Sequence, residues 1–187
     1  MKTSTAEKVD HAYQNAKGWA ESIAAMVAAM ECDYDRLEEL RDERADLASE
    51  ADDDTNVEQD EARAKLKAWD EENGEELKDL TAAATVDGDR MKDADEARER
   101  IQESPLSCEV RSGWTSPGET MEAEDFCILL STGGPALRIR GELDEHKQPH
   151  RAWLEYQDWG TPWTEYHGDG CENETLLTFC QQFYFDA

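Results

Sequence analysis

The chain has 187 residues, a formal net charge of −27 and a mean hydropathy of −0.88. That length accommodates one or two domains, and an apolar share of 38% confines any core to local clusters. The acid excess repels nucleic acid and anionic membranes, so direct nucleic-acid binding and membrane binding are not expected, and it favours a basic protein partner.

No run of about 18 apolar residues occurs, so no membrane-spanning helix is predicted. The first seven residues lack the apolar core of a secretory signal, and the expected location is the cytoplasm. The five cysteines are odd in number and form no Cys-x-x-Cys pair. This argues for buried reduced thiols rather than a disulfide framework or a zinc ribbon.

Residues 1–103 contain no proline and hold 31 acids and 14 bases. Their Ala, Glu, Leu, Lys and Arg content suits long helices. An apolar seam with alternating steps of three and four runs from Val9 through Trp19, Ile23, Met26 and Leu37 to Leu47, interrupted at Asp33 and Arg44. It predicts one helix from about Thr5 to Glu50, roughly 70 Å long. The run Asp52-Asp53-Asp54-Thr55-Asn56 then predicts a polar turn.

A second seam runs from Leu66 and Trp69 to Met91 and Ile101, with one extra residue at Asn73-Gly74. The short turn favours an antiparallel, coiled-coil-like helical hairpin over residues 1–103. An alternative has three helices, with a break near residues 85–89 at Asp87-Gly88. The seams can pair within one chain or between chains, so a homodimer is open.

Pro105 marks the change to period two and defines a second domain, 104–187. Leu106 to Arg111 forms a predicted strand. Phe126, Ile128 and Leu130 share a face of the next, and Leu137, Ile139 and Leu143 a face of the third. Ala152, Leu154 and Tyr156 mark the fourth. Gly133-Gly134 predicts a two-residue hairpin turn. Glu174 to Phe183 has helical spacing. The expected class is α+β: an N-terminal helical hairpin and a small antiparallel sheet domain with a C-terminal helix.

Several segments resemble one family. They are Glu96-Ala97-Arg98-Glu99-Arg100-Ile101-Gln102-Glu103, Glu109-Val110-Arg111-Ser112-Gly113-Trp114, Thr132-Gly133-Gly134-Pro135-Ala136 and Leu154-Glu155-Tyr156-Gln157-Asp158-Trp159-Gly160-Thr161-Pro162-Trp163. Cys32 to Arg44 also fits. The family is that of small acidic proteins from phages, prophages and other mobile elements of Gram-negative bacteria. The resemblance covers about half of the chain. It implies a mobile-element gene expressed in a bacterial host and lends no catalytic motif.

Four groups of residues are candidates for chemistry. Glu38, Glu39, Asp42, Glu43 and Asp46, with Asp52, Asp53 and Asp54, supply carboxylates along a predicted rod, and Asp70, Glu71, Glu72, Glu75 and Glu76 supply more. Duplex DNA carries one charge per about 1.7 Å of axis, so such a rod can approach its charge density. The competing reading is a solvated helix surface.

Trp153, Tyr156, Trp159, Trp163 and Tyr166 form an aromatic cluster. Core positions are favoured for Trp153 or Tyr156. Trp159 and Trp163 stand open between the core and a protein-interface anchor. Arg138 and Arg140 fall opposite the apolar face of their strand, beside Arg111 and Arg151. Glu109, Glu142 and Glu155 are expected to neutralise them.

Metal and catalytic signals fail. Asp52, Asp54 and Asn56 begin a calcium-loop pattern, but Val57 and Arg63 stand where glycine and glutamate are needed. His146 and His150 flank a turn at Pro149, and His11 and His167 have no evident companion. No nucleophile elbow or phosphate loop occurs. No cofactor, metal or enzyme activity is expected.

The expected function is a non-enzymatic inhibitor of a host nucleic-acid-binding defence complex, of the anti-CRISPR or anti-restriction kind, acting by DNA mimicry. The other reading is a coiled-coil adaptor or assembly protein of phage development.

Overall fold

The computed structural model describes residues 10–52 and 59–185. The fold is α+β, with five helices, a two-stranded sheet and a five-stranded antiparallel sheet among the described residues. No helix among them is long and apolar enough to cross a membrane. The chain divides into two compact units: residues 28–97, and the residues up to Val27 together with those from Arg98 onward.

The helical unit differs from the single long helix expected over residues 5–50. Helix α1 spans His11–Met30 and α2 spans Tyr34–Asp52, so the seam breaks at residues 31–33. Asp33 makes the break. Its side-chain oxygen accepts from the Arg36 N–H at 3.0 Å, and its carbonyl accepts from the Leu37 N–H at 3.0 Å. A residue that looks like a polar interruption of a heptad is therefore the N-cap of a new helix.

Helix α3 spans Gln59–Ala83 and continues through Asn73-Gly74. Helices α2 and α3 run antiparallel, as Arg36 meets Glu76 and Arg44 meets Asp70. Their shared apolar layer is thin, with Leu37 and Leu40 fully buried and Ala51 and Ala62 closing it. After α3, strands β1 (Thr85–Val86) and β2 (Asp89–Arg90) pair around Asp87-Gly88. Both turn residues have positive φ, 51° and 91°, as a two-residue hairpin of this hand requires. The break near residues 85–89 is thus present.

Helix α4 (Ala94–Glu103) starts at Asp93, whose side chain accepts from the Glu96 N–H at 2.8 Å. Glu96 reaches back to the Lys92 N–H at 2.6 Å, much as in a capping box. The boundaries between units fall inside α1 and α4 rather than at Pro105, because most of α1 belongs to the core of the sheet unit.

The sheet unit has strands β3 (Ser107–Ser112), β4 (Ala123–Ser131), β5 (Ala136–Leu143), β6 (Pro149–Gln157) and β7 (Thr164–Glu165), in that spatial order and all antiparallel. Its core face carries Phe126, Ile128, Ile139 and Leu154, each at most 1% exposed. Period-two alternation puts these residues on one side, as their spacing predicts. Helix α5 (Asn173–Cys180) packs on β6 and contributes Leu176, Phe179 and Cys180.

Helix α1 adds Ala12, Ala16 and Ala20, small residues at helical spacing, and then Ile23 and Met26. Its Tyr13 ring lies 6.1 Å from that of Tyr156 and 5.2 Å from that of Tyr166. The β4–β5 connection is a four-residue loop, 132–135, containing a cis Gly134–Pro135 bond, rather than the two-residue turn expected at Gly133-Gly134.

Candidate interaction surfaces

Helix α2 bears eight carboxylates and three arginines. All three arginines reach α3. Arg36 donates to Glu76 through Nε and Nη2, both at 3.0 Å, and to Glu39 at 2.7 Å. Arg44 donates to Asp70 at 2.8 Å, and Arg41 approaches Thr81 at 3.4 Å. The guanidinium hydrogen bond holds the Glu76 carboxyl below its ordinary range. The bases of α2 are therefore engaged with α3, while Glu38, Glu39, Asp42, Glu43, Asp46 and Asp52 are exposed.

These carboxylates do not share one environment. Glu39 is held by Arg36, and Glu43 accepts from the Trp69 indole at 3.1 Å. Glu38 and Asp42 line a groove with Arg41, Arg90 and Lys92. Asp53 and Asp54, also expected to contribute, lie outside the described residues, as does most of the calcium-loop pattern.

In total α2 and α3 hold sixteen acids and seven bases, a net charge of −9. Helix α3 has 25 residues, about 37 Å at 1.5 Å per residue. One strand of a duplex carries about 11 phosphates over that distance. The net charge thus matches one phosphate path better than a whole duplex.

The aromatic cluster divides in the sheet unit. Tyr166 is buried, and Tyr156 is half-buried against Tyr13. Burial raises the Tyr166 phenol to about 12. Of Trp153 and Tyr156, for one or the other of which a core position was favoured, Trp153 lies on the opposite face of the sheet. Its indole N–H donates to Glu155 at 3.0 Å, and its ring lies between Arg140 and Arg151 at 5.7 and 5.4 Å. A tryptophan can occupy this polar face because its N–H finds a carboxylate there.

Trp163 is half-buried beneath Arg138, whose guanidinium carbon sits 4.0 Å from the ring centroid. Arg138 also donates to Glu155 at 2.7 Å. Glu155 therefore joins Arg138 to Trp153.

Only Trp159 of the five projects strongly, at 77% exposed. Its turn is tightly built. The Thr161 N–H donates to the Asp158 carbonyl at 3.2 Å, the Trp159 N–H to the Asp158 carboxylate at 2.8 Å, and Gly160 has φ of 72°. That positive φ suits glycine at the third position of such a turn.

The arginine face is neutralised by Glu142 and Glu155 as expected, and by Asp125 where Glu109 was expected. Arg138 pairs with Glu155 and Arg151 with Glu142, while Arg111 and Arg140 share Asp125. Asp125 was not anticipated. Its cross-strand partner Arg111 becomes visible only once the β3–β4 register is known.

Exposed Leu106, Trp114 and Met121 also escaped sequence reasoning, since an apolar residue type points to burial. The Cys171 thiol lines a cleft with Tyr166 and His167, and burial pushes it up to about 12. Such a thiol remains protonated and is a poor nucleophile.

Comparison with known proteins gives no match: no family model, curated protein or solved structure matches the chain.

Proposed function

We propose that this protein is a non-enzymatic inhibitor, encoded by a mobile element, that occupies the basic groove of a host nucleic-acid-binding defence complex. The observation that carries the reading is the engagement of Arg36, Arg41 and Arg44 with α3, which leaves the exposed carboxylates of α2 outward. The residues from 28 to 97 hold 26 acids against 9 bases, so most of the net charge lies in the helical unit. Those carboxylates act as surrogates for one strand's phosphates, and Trp159 of the sheet unit adds an apolar anchor.

The test is capture of a partner from a bacterial lysate by the full chain, at low and high salt. The partner is expected to be a nucleic-acid-binding complex, to be displaced by duplex DNA, and to be lost steeply at high salt. Combined substitution Glu38→Gln, Glu39→Gln, Asp42→Asn, Glu43→Gln and Asp46→Asn should abolish capture while the melting temperature holds. Capture that ignores both DNA and the five substitutions removes mimicry, and it favours an apolar interface of the adaptor kind.

A further inference from the structure

Strand β3 is an edge of the five-stranded sheet. It pairs with β4, and no strand among the described residues lies on its other side. The Leu106 N–H donates to the Leu129 carbonyl at 2.7 Å. Leu129 thus faces β3 and stands opposite Ser107, so Ser107, Glu109 and Arg111 bond to β4, and antiparallel alternation turns the N–H and C=O groups of Cys108 and Val110 toward the open edge. Such an edge invites another strand unless it is bulged, covered or blocked by charge.

The side chains of β3 are sorted. Cys108 and Val110 stand opposite buried Ile128 and Phe126, so they lie on the apolar side of the sheet. They are nevertheless exposed, as is Leu106 at 61%. Glu109 and Arg111 lie on the other side. Arg111 already pairs with Asp125 of β4 and remains 70% exposed.

We infer that β3 pairs antiparallel with β3 of a second copy of this chain, about a two-fold axis through Val110. Opposed residues of an antiparallel pair share a face, so the apolar sides stay continuous only when odd positions oppose odd positions. An axis at Glu109 sets two carboxylates opposite each other, and an axis at Arg111 sets two guanidiniums. An axis at Cys108 leaves Arg111 opposite Pro105.

An axis at Val110 places Glu109 opposite Arg111 of the second copy and Arg111 opposite its Glu109. Val110 then meets Val110, and Cys108 meets Ser112. The row Asp125–Arg111–Glu109 alternates in charge across the junction. Opposite charges at directly opposed positions stabilise a ladder and like charges destabilise it, so this register is the self-complementary one. The contact is isologous, as a closed dimer requires.

The test is sedimentation equilibrium on the full chain, with circular dichroism to monitor folding. The wild type is expected to reach twice the 21.2 kDa chain mass at tens of micromolar. Glu109→Lys and Arg111→Glu should each weaken association at least tenfold. The first is the more telling. It lowers the net negative charge by two, so bulk repulsion alone would strengthen association.

An equimolar mixture of the two variants should recover the dimer, because a lysine at 109 then faces a glutamate at 111 while the native pair forms at the other contact. Val110→Pro, which removes an outward N–H and leaves the bonds to β4, should yield a folded monomer. A wild-type monomer at these concentrations overturns the inference. So does a dimer indifferent to the reversals, or a mixture that stays monomeric. A monomer that takes up a foreign extended peptide at this edge overturns it in favour of that occupant.

Discussion

The indole of Trp159 occupies the space beside Gly134 that a β-carbon would need. Two loops, 132–135 and the turn at Asp158–Thr161, are thereby fixed to each other by one exposed ring. Trp159→Ala should shift stability by no more than about 0.5 kcal/mol, since the side chain is mostly solvated. Its effect on partner affinity should be larger, about 2 kcal/mol if the ring is an anchor. Gly134→Ala should displace the same ring and alter tryptophan emission. A binding titration of both variants, read beside their melting curves, checks the pair of expectations.

Gly141 is required for a different reason. A side chain there would collide with the Phe126 ring and the Arg151 carbonyl. Phe126 is 1% exposed and stacks against Phe185 at 4.7 Å, so it has little room to yield. Gly141→Ala is expected to cost about 3 kcal/mol in a urea titration. A loss under about 1 kcal/mol would mean that the ring relocates.

Asp33 separates α1 from α2 by capping. Asp33→Ala should destabilise the helical unit by about 1 kcal/mol, whereas Asp33→Asn or Asp33→Ser should retain most of the stability. Hydrogen exchange at the amides of Asp35 and Arg36 reads the effect locally.

The Arg36–Glu76 pair sets a pH dependence. The Glu76 carboxyl is lowered from 4.5, first by its hydrogen bond from Arg36. Its contribution to stability is therefore fully present above the unfolded-state value and is lost as pH falls through the lowered folded-state value. Glu76→Gln should melt earlier than wild type at neutral pH. The difference should close once the pH lies below the carboxylate range. With both side chains over a third exposed, the neutral-pH difference should be small. A gap that persists in acid would show that the glutamate acts through packing.

The sheet was legible in the sequence because each strand alternates. Phe126, Ile128 and Leu130 were expected on one face, and all three are buried. Asp87-Gly88 was legible as a break because few residue pairs accept two positive φ angles. Three features were not legible. Asp33 lies on the seam by spacing and caps a helix by chemistry, and spacing alone cannot separate those roles.

Helix α1 joins the sheet unit through Tyr13, Tyr156 and Tyr166, contacts more than 140 residues apart in sequence that leave no local pattern. Strand β7 has only two residues, too few to alternate. Among the candidate surface residues, exposure of the α2 carboxylates followed from composition. The division of labour between Trp159 and Trp163 depended on Arg138, which covers only the latter.

The helical unit is contiguous in sequence, whereas the sheet unit is split around it. During synthesis the ribosome completes residues 28–97 before the first strand of the five-stranded sheet emerges. Helix α1, already made, carries Ile23 and Met26 without a sheet to cover them. The core they belong to closes only when Phe179 and Phe185 leave the ribosome. Helix α1 is therefore made well before the strands that share its core, and its apolar face stays uncovered in the nascent chain until they follow.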